Sequence, residues 1–294
     1  MTLTFKTLND AADPTFNQLL SINDSGTIAG YFGSGAAGHP NKGYTLSPPF
    51  GQGEYTNENF PTSVQTQVTG INNEGVTVGF WVDGQGDNFG FVHEHGKFTT
   101  VVDPAARLAA AGGPITEQLL GVNNHNQAAG FYTDANGNSH GFVYNIATKS
   151  FQGIHIAGAT SVAATGINDH GDISGFFQKG GATEGFLDVS GHIWTLNGPA
   201  GATDVQALGL NNKDQIVGSY VGTDGNTHGF LFSNSTGRYT TINDPHAVGS
   251  TIVNGIDNKG YLVGFYTDAA GNTDGMLVGT TGHSVSHGLG HLFG

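Results

Sequence analysis

Glutamine recurs at one fixed place in this chain. Gln18, Gln67, Gln118 and Gln206 each stand three residues before the glycine (Ser21 in the first case) of a repeated Gly-Ile-Asn phrase, and Ala163 and Ile252 take that place in the other two copies. A carboxamide donates and accepts at once, which suits sugar hydroxyls as well as ordered water. A second set precedes a repeated Gly-Phe: Lys42, Phe89, His140, Glu184, His228 and Asp274. His140, His228 and Glu184 are of the types that serve as general acids and bases, although a polar residue there also suits a bond to its own hairpin. His283, His287 and His291 are spaced four apart, as zinc or nickel ligands on one helix face would be. Gly282, Gly288 and Gly290 oppose such a helix, so the tail reads as flexible chain with adventitious metal affinity at most. The turns 134–138, 224–226 and 268–272 have the oxygen-rich look of calcium loops, but they lack the further carboxylates and bidentate Glu, and Asx-turn chemistry accounts for them. No phosphate loop and no His-Glu-x-x-His is present, and no cofactor is expected.

These residues sit in a repeat. The phrase begins at Ser21, Gly70, Gly121, Gly166, Gly209 and Gly255, with spacings of 49, 51, 45, 43 and 46 residues. That period fits a four-stranded propeller blade and is too long for leucine-rich or ankyrin units. Each copy reads as four short strands, for example Leu119–Asn123, Val76–Trp81, His140–Tyr144 and Phe98–Asp103. Tight hairpins join the first two strands, with Gly26, Gly75, Gly171 and Gly260 supplying a positive φ and Asn126 and Asp214 replacing glycine in two copies. The fold class predicted is all-β, a six-bladed propeller over residues 1–279 followed by a Gly/His-rich tail, 280–294.

Glycine also stands inside every second strand (Gly30, Gly79, Gly130, Gly175, Gly218, Gly264) and every third strand (Gly43, Gly90, Gly141, Gly185, Gly229, Gly275). Such glycines weaken a strand, so they are expected to form a trough that receives aromatic rings of the neighbouring blade. The second-strand rings Phe32, Trp81, Tyr132, Phe177, Tyr220 and Tyr266 recur in all copies, which favours inter-blade core over a sugar-stacking platform. The sixth copy lacks a fourth strand of its own. Phe5–Asp10 matches Tyr239–Asp244, so the first strand of the chain is expected to complete the last blade and close the ring.

On His140-Gly141-Phe142, His228-Gly229-Phe230 and the Gly-Ile-Asn openings, the repeat resembles the HAF family, bacterial tandem repeats regarded as extracellular and named for a His-Ala-Phe signature. The resemblance spans nearly all of residues 4–278. Gly replaces Ala, and Lys42, Phe89, Glu184 and Asp274 stand where His would. The resemblance implies a propeller-like secreted or surface protein and no particular reaction.

Composition narrows the partners. Nine basic residues against 23 acidic give a net charge of −14, which opposes binding to a phosphate backbone. No apolar run approaches a membrane span, and the absence of cysteine removes disulfides and thiolate metal sites. The reading is therefore a non-catalytic module that binds a small or glycan-like neutral ligand at the channel mouth, where loops of variable length before each first strand share one rim. A saccharide hydrolase or lyase using His140, His228 or Glu184 is the alternative, and an interaction scaffold the third. No basic and apolar leader opens the chain, so leaderless export is expected, with cytoplasmic residence the alternative.

Overall fold

A computed structural model describes residues 2–281. The strands form six antiparallel sheets of four, five of them in sequence order from first to fourth strand. Blades 1 to 5 run from Asn17 to Asn57, Gln65 to Val101, Glu117 to Gly153, Ser161 to Leu196 and Thr203 to Ile242. Blade 6 takes three strands from Thr251–Thr281 and its fourth from Thr2–Thr7, which pairs with the last strand from Thr2↔Thr281 to Thr7↔Met276. The ring closes as expected. Beyond the strand, the Leu8 amide donates to the Gly275 carbonyl at 2.9 Å, Asn9 binds Asp274 at 2.7 Å, and the Leu8 side chain is buried in the core between blades 6 and 1.

A β-bulge interrupts every first strand at the same point, between Leu19 and Ser21 in blade 1 and between Val253 and Gly255 in blade 6. Bulges add local twist, and here each sits at the repeated glycine. A Cβ on Gly70 would lie 3.1 Å from the Cα of Gly121, one on Gly121 3.0 Å from Gly166, one on Gly166 3.1 Å from Gly209, and one on Gly255 2.9 Å from Ser21. Innermost strands thus touch backbone to backbone around the axis, and only the smallest residues permit it.

The in-strand glycines do a different job from the one expected. A Cβ on Gly175 or Gly79 would strike the carbonyl of Ala163 or Gln67 in the first strand of the same blade, and would come within 2.6–2.8 Å of Phe186 or Phe91, the ring paired across from it on the third strand. At Gly30, Gly79, Gly175 and Gly218 the ring laid over the second-strand glycine belongs to its own blade. Third-strand glycines receive the neighbouring blade, and what enters is aliphatic: Val68 against Gly43, Leu119 against Gly90, Val253 against Gly229, and Leu19 against Gly275. The cores accordingly lie between blades, as where Val78, Val92 and Val101 of blade 2 meet Leu119 and Phe142 of blade 3. Each such fully buried aliphatic contributes about 1.5–3 kcal/mol.

Candidate functional site

The first strands line an axial cavity of ≈ 100 Å³, below the roughly 300 Å³ at which small-molecule sites begin. Its wall runs from Leu20 to Asp24 in blade 1 and through the matching residues of the other five. At the hairpin end two belts of side chains encircle it. In the inner belt, Oδ1 of Asn23, Asn72, Asn123, Asn168, Asn211 and Asp257 accepts two amides of its own hairpin. The Nδ2 of each asparagine donates to the backbone carbonyl of the matching residue one blade on, at 2.9–3.4 Å. Asp257 has no Nδ2; its Oδ2 is buried without a partner among the described residues, and burial, with Asp24 nearby, pushes its carboxyl up to about 6.

The outer belt comprises Asp24, Asn73, Asn124, Asp169, Asn212 and Asn258. Each backbone amide donates to Oδ1 of the next member at 2.8–2.9 Å, completing a closed ring of six. Asp24 and Asp169, three blades apart, each accept the side-chain amides of both flanking asparagines. Burial opposes the Asp169 anion, but these bonds hold its pKa below the ordinary value. The repeated Asn-Asn/Asp pair thus locks the ring, a role the sequence reading missed although the asparagine belongs to the repeated Gly-Ile-Asn phrase.

The sequence-predicted residues lie elsewhere. Gln18, Gln67, Gln118 and Gln206 are half-buried and sit before the residues that wall this cavity. Two of them already have partners: Gln18 accepts from the Tyr31 hydroxyl at 2.8 Å, and Gln67 donates to Asn41 at 2.9 Å. His140 and His228 open the third strands of blades 3 and 5 and Glu184 lies in that of blade 4, each paired with the aromatic residue of its second strand. His140 binds Asp134 of its own hairpin at 3.0 Å and stacks on Tyr132; His228 binds Asp224 at 3.0 Å and Asn243 at 3.0 Å. The histidine bond leads the set that pulls Asp134, and likewise Asp224, down to about 2. Burial disfavours charge on His228, but its bonds to Asp224 and Asn243 raise its pKa overall. The structure brings the three together in no constellation; each His serves its own hairpin. The calcium-like turns are Asx turns, Asp134 and Asp268 each accepting two amides of their own loop. His283, His287 and His291 lie outside the described residues.

Two strings escaped the sequence reading. Residues 33–38 spell Gly-x-Gly-x-x-Gly, and residues 137–141 spell Gly-x-Ser-x-Gly. The first joins strand Ile28–Phe32 to strand Lys42–Leu46, so no helix N-terminus follows to receive a pyrophosphate. In the second, Ser139 begins the strand Ser139–Asn145, not the strand-to-helix elbow that exposes a nucleophile. Neither carries its usual chemistry.

A larger hollow lies between blades 3 and 4. It has a volume of ≈ 320 Å³, and Val143, Ile154, Ile167, Ile173 and Ile193 line it together with Gln127, Gln152, His155, Asp188 and Ser190. Gly171 and Gly191, both hairpin residues, help form it. The repeat alone did not point there: Ile167 and Gly171 are repeat positions, and what sets this junction apart is the polar border, Gln152 and His155 above all.

No protein-family model matches the chain, and no curated protein matches its sequence. Solved structures do match. A TolB protein from Agrobacterium tumefaciens superposes with a TM-score of 0.62 at 10% identity over 94% of this chain and 98% of its own. TolB from Acinetobacter baumannii gives 0.55 at 11% identity over 87% of this chain, which spans 64% of that protein's length. The fungal lectin of Aleuria aurantia, described as a six-bladed β-propeller with a novel mode of fucose recognition, gives 0.53 at 10% identity over 90% and 93%. At these identities the likeness is one of fold. The chain is a six-bladed β-propeller.

Proposed function

We propose that this protein is a ligand-binding propeller for a small, neutral, glycan-like ligand, and that the ligand sits in the hollow between blades 3 and 4 instead of on the axis. The observation that carries the proposal is size with chemistry: ≈ 320 Å³ between the blades against ≈ 100 Å³ along the axis. Isoleucine and valine side chains offer a sugar ring an apolar floor, and amides, a hydroxyl and an imidazole at the border offer hydroxyl partners. Support comes from the small share of charged residues, 11%, and from a lectin of the same architecture among its structural neighbours. The proposal includes kinship with the HAF-type repeats and export to the cell exterior, which proteomics of culture supernatant tests.

A glycan array followed by calorimetry tests the ligand. Gln152→Ala with His155→Ala, both exposed residues, is expected to weaken binding at least tenfold. Gln18→Ala with Gln118→Ala is expected to leave it unchanged. If only the second pair weakens binding, the site belongs at the rim; if no glycan binds, the reading fails.

A further inference from the structure

The junction of blades 4 and 5 carries a feature that the fold does not need and the ligand reading does not use. His170 and Asp172 flank the hairpin glycine of blade 4, and Asp214 occupies the matching glycine position of blade 5 at φ +53°. One ligand atom from each of the three lies within 4.8 Å of the other two, the sole such group among the described residues. Nδ1 of His170 is 3.8 Å from Oδ2 of Asp172. Asp172 is 6% exposed, and its Oδ2 also accepts from Asn168 Nδ2 at 3.0 Å. Oδ1 of Asp214 is shielded from solvent and has no hydrogen-bond partner among the described residues.

Two carboxylates this close, one with an unpartnered solvent-shielded oxygen, repel each other unless a positive charge lies between them. The turn does not require the second carboxylate, because glycine fills that position in blades 1, 2, 4 and 6. Blade 3 has Asn126 there, also with a shielded Oδ1 that lacks a partner among the described residues, but an amide is neutral, and the preceding blade has Val76 where blade 4 has Asp172.

We infer that His170, Asp172 and Asp214 form a divalent-metal site of the zinc type, with one imidazole nitrogen, two carboxylate oxygens and water in the remaining position. A zinc ion bound at about 2.0–2.2 Å holds its ligand atoms closer together than 4.8 Å. The exposed His170 is the member placed to swing inward. One nitrogen with carboxylate oxygens suits zinc and its neighbours better than calcium, which takes six to eight oxygens.

The test is zinc titration of the full chain by calorimetry, with metal content after dialysis as a second readout. Because the tail adds His283, His287 and His291, each titration is repeated on a variant with all three changed to Ala. One zinc per chain is expected to remain in that variant, and to bind at least tenfold more weakly after His170→Ala or Asp214→Gly. Asp214→Gly restores the residue that four other blades use in this turn, so its circular dichroism and melting should match wild type. Binding that vanishes with the tail histidines, or that survives both His170→Ala and Asp214→Gly, overturns the site.

Discussion

Asp257→Asn should stabilise the protein, and far more at neutral pH and above than at pH 4. Asp257 is 3% exposed, caps its hairpin through Oδ1 as the five asparagines do, and leaves Oδ2 where they carry a donating amide. Its carboxyl is pushed from an ordinary 3.8 to about 6. A carboxyl that holds its proton more tightly in the folded state stabilises the fold fully below pH 3.8, and loses that contribution as the pH rises through about 6. At about 1.4 kcal/mol per pH unit, a shift of this size corresponds to roughly 3 kcal/mol lost above neutrality. Asparagine cannot ionise, and its Nδ2 takes up the donor role that closes the inner belt, which adds about 1 kcal/mol. Urea unfolding of both proteins at pH 4 and pH 7.5 measures the effect. The expected gain is roughly 2–4 kcal/mol at pH 7.5 and under about 1 at pH 4. Equal gains at the two pH values, or a loss at pH 7.5, would refute the account of the belt.

Two further perturbations address the blades. Gly175→Ala places a methyl against the Ala163 carbonyl and 2.6 Å from the Phe186 ring, and should cost about 2–3 kcal/mol by overpacking; a melting temperature unchanged within error would show that the strand simply shifts. Glu117 is fully buried at the start of the blade 3 first strand, accepts the Asp103 amide at 2.6 Å and leaves Oε1 unpartnered. Burial pushes it from 4.5 to about 8, so the wild-type fold should lose stability between those pH values. Glu117→Gln should match wild type at pH 5 and melt higher at pH 9; parallel pH profiles would place the titration elsewhere.

Blade number, strand order and ring closure were legible because each leaves a periodic mark: a period near 47 residues, a hairpin glycine at a fixed offset, and Phe5–Asp10 echoing Tyr239–Asp244. The purpose of the glycines was not. Which ring covers Gly79 depends on the pairing Gly79↔Phe91 within one sheet, and which side chain enters Gly90 depends on the wedge angle that brings in Leu119. Neither is a property of local sequence. The polar sites were harder still. Gln18 and Gln67 are repeated yet partly consumed by Tyr31 and Asn41, whereas His170 and Asp214 are 44 residues apart and meet only because adjacent blades align their hairpins.

That contrast has a physical origin. Near the axis every position faces its own counterpart one blade on, glycine against glycine and asparagine amide against carbonyl. A change there must satisfy two neighbours at once, so identity is preserved and the space that remains is small. Away from the axis the wedges diverge, and a residue meets the next blade through side chains that vary from copy to copy. Chemistry particular to this chain is expected at junctions where a copy departs from the others, as at Gln152 and His155 beside the blade 3–4 hollow and at Asp214, which stands where four other blades have glycine. A ring whose repeats are this uniform at the centre is built to hold those junctions at fixed separation, and a ligand at one of them needs no passage through the axis.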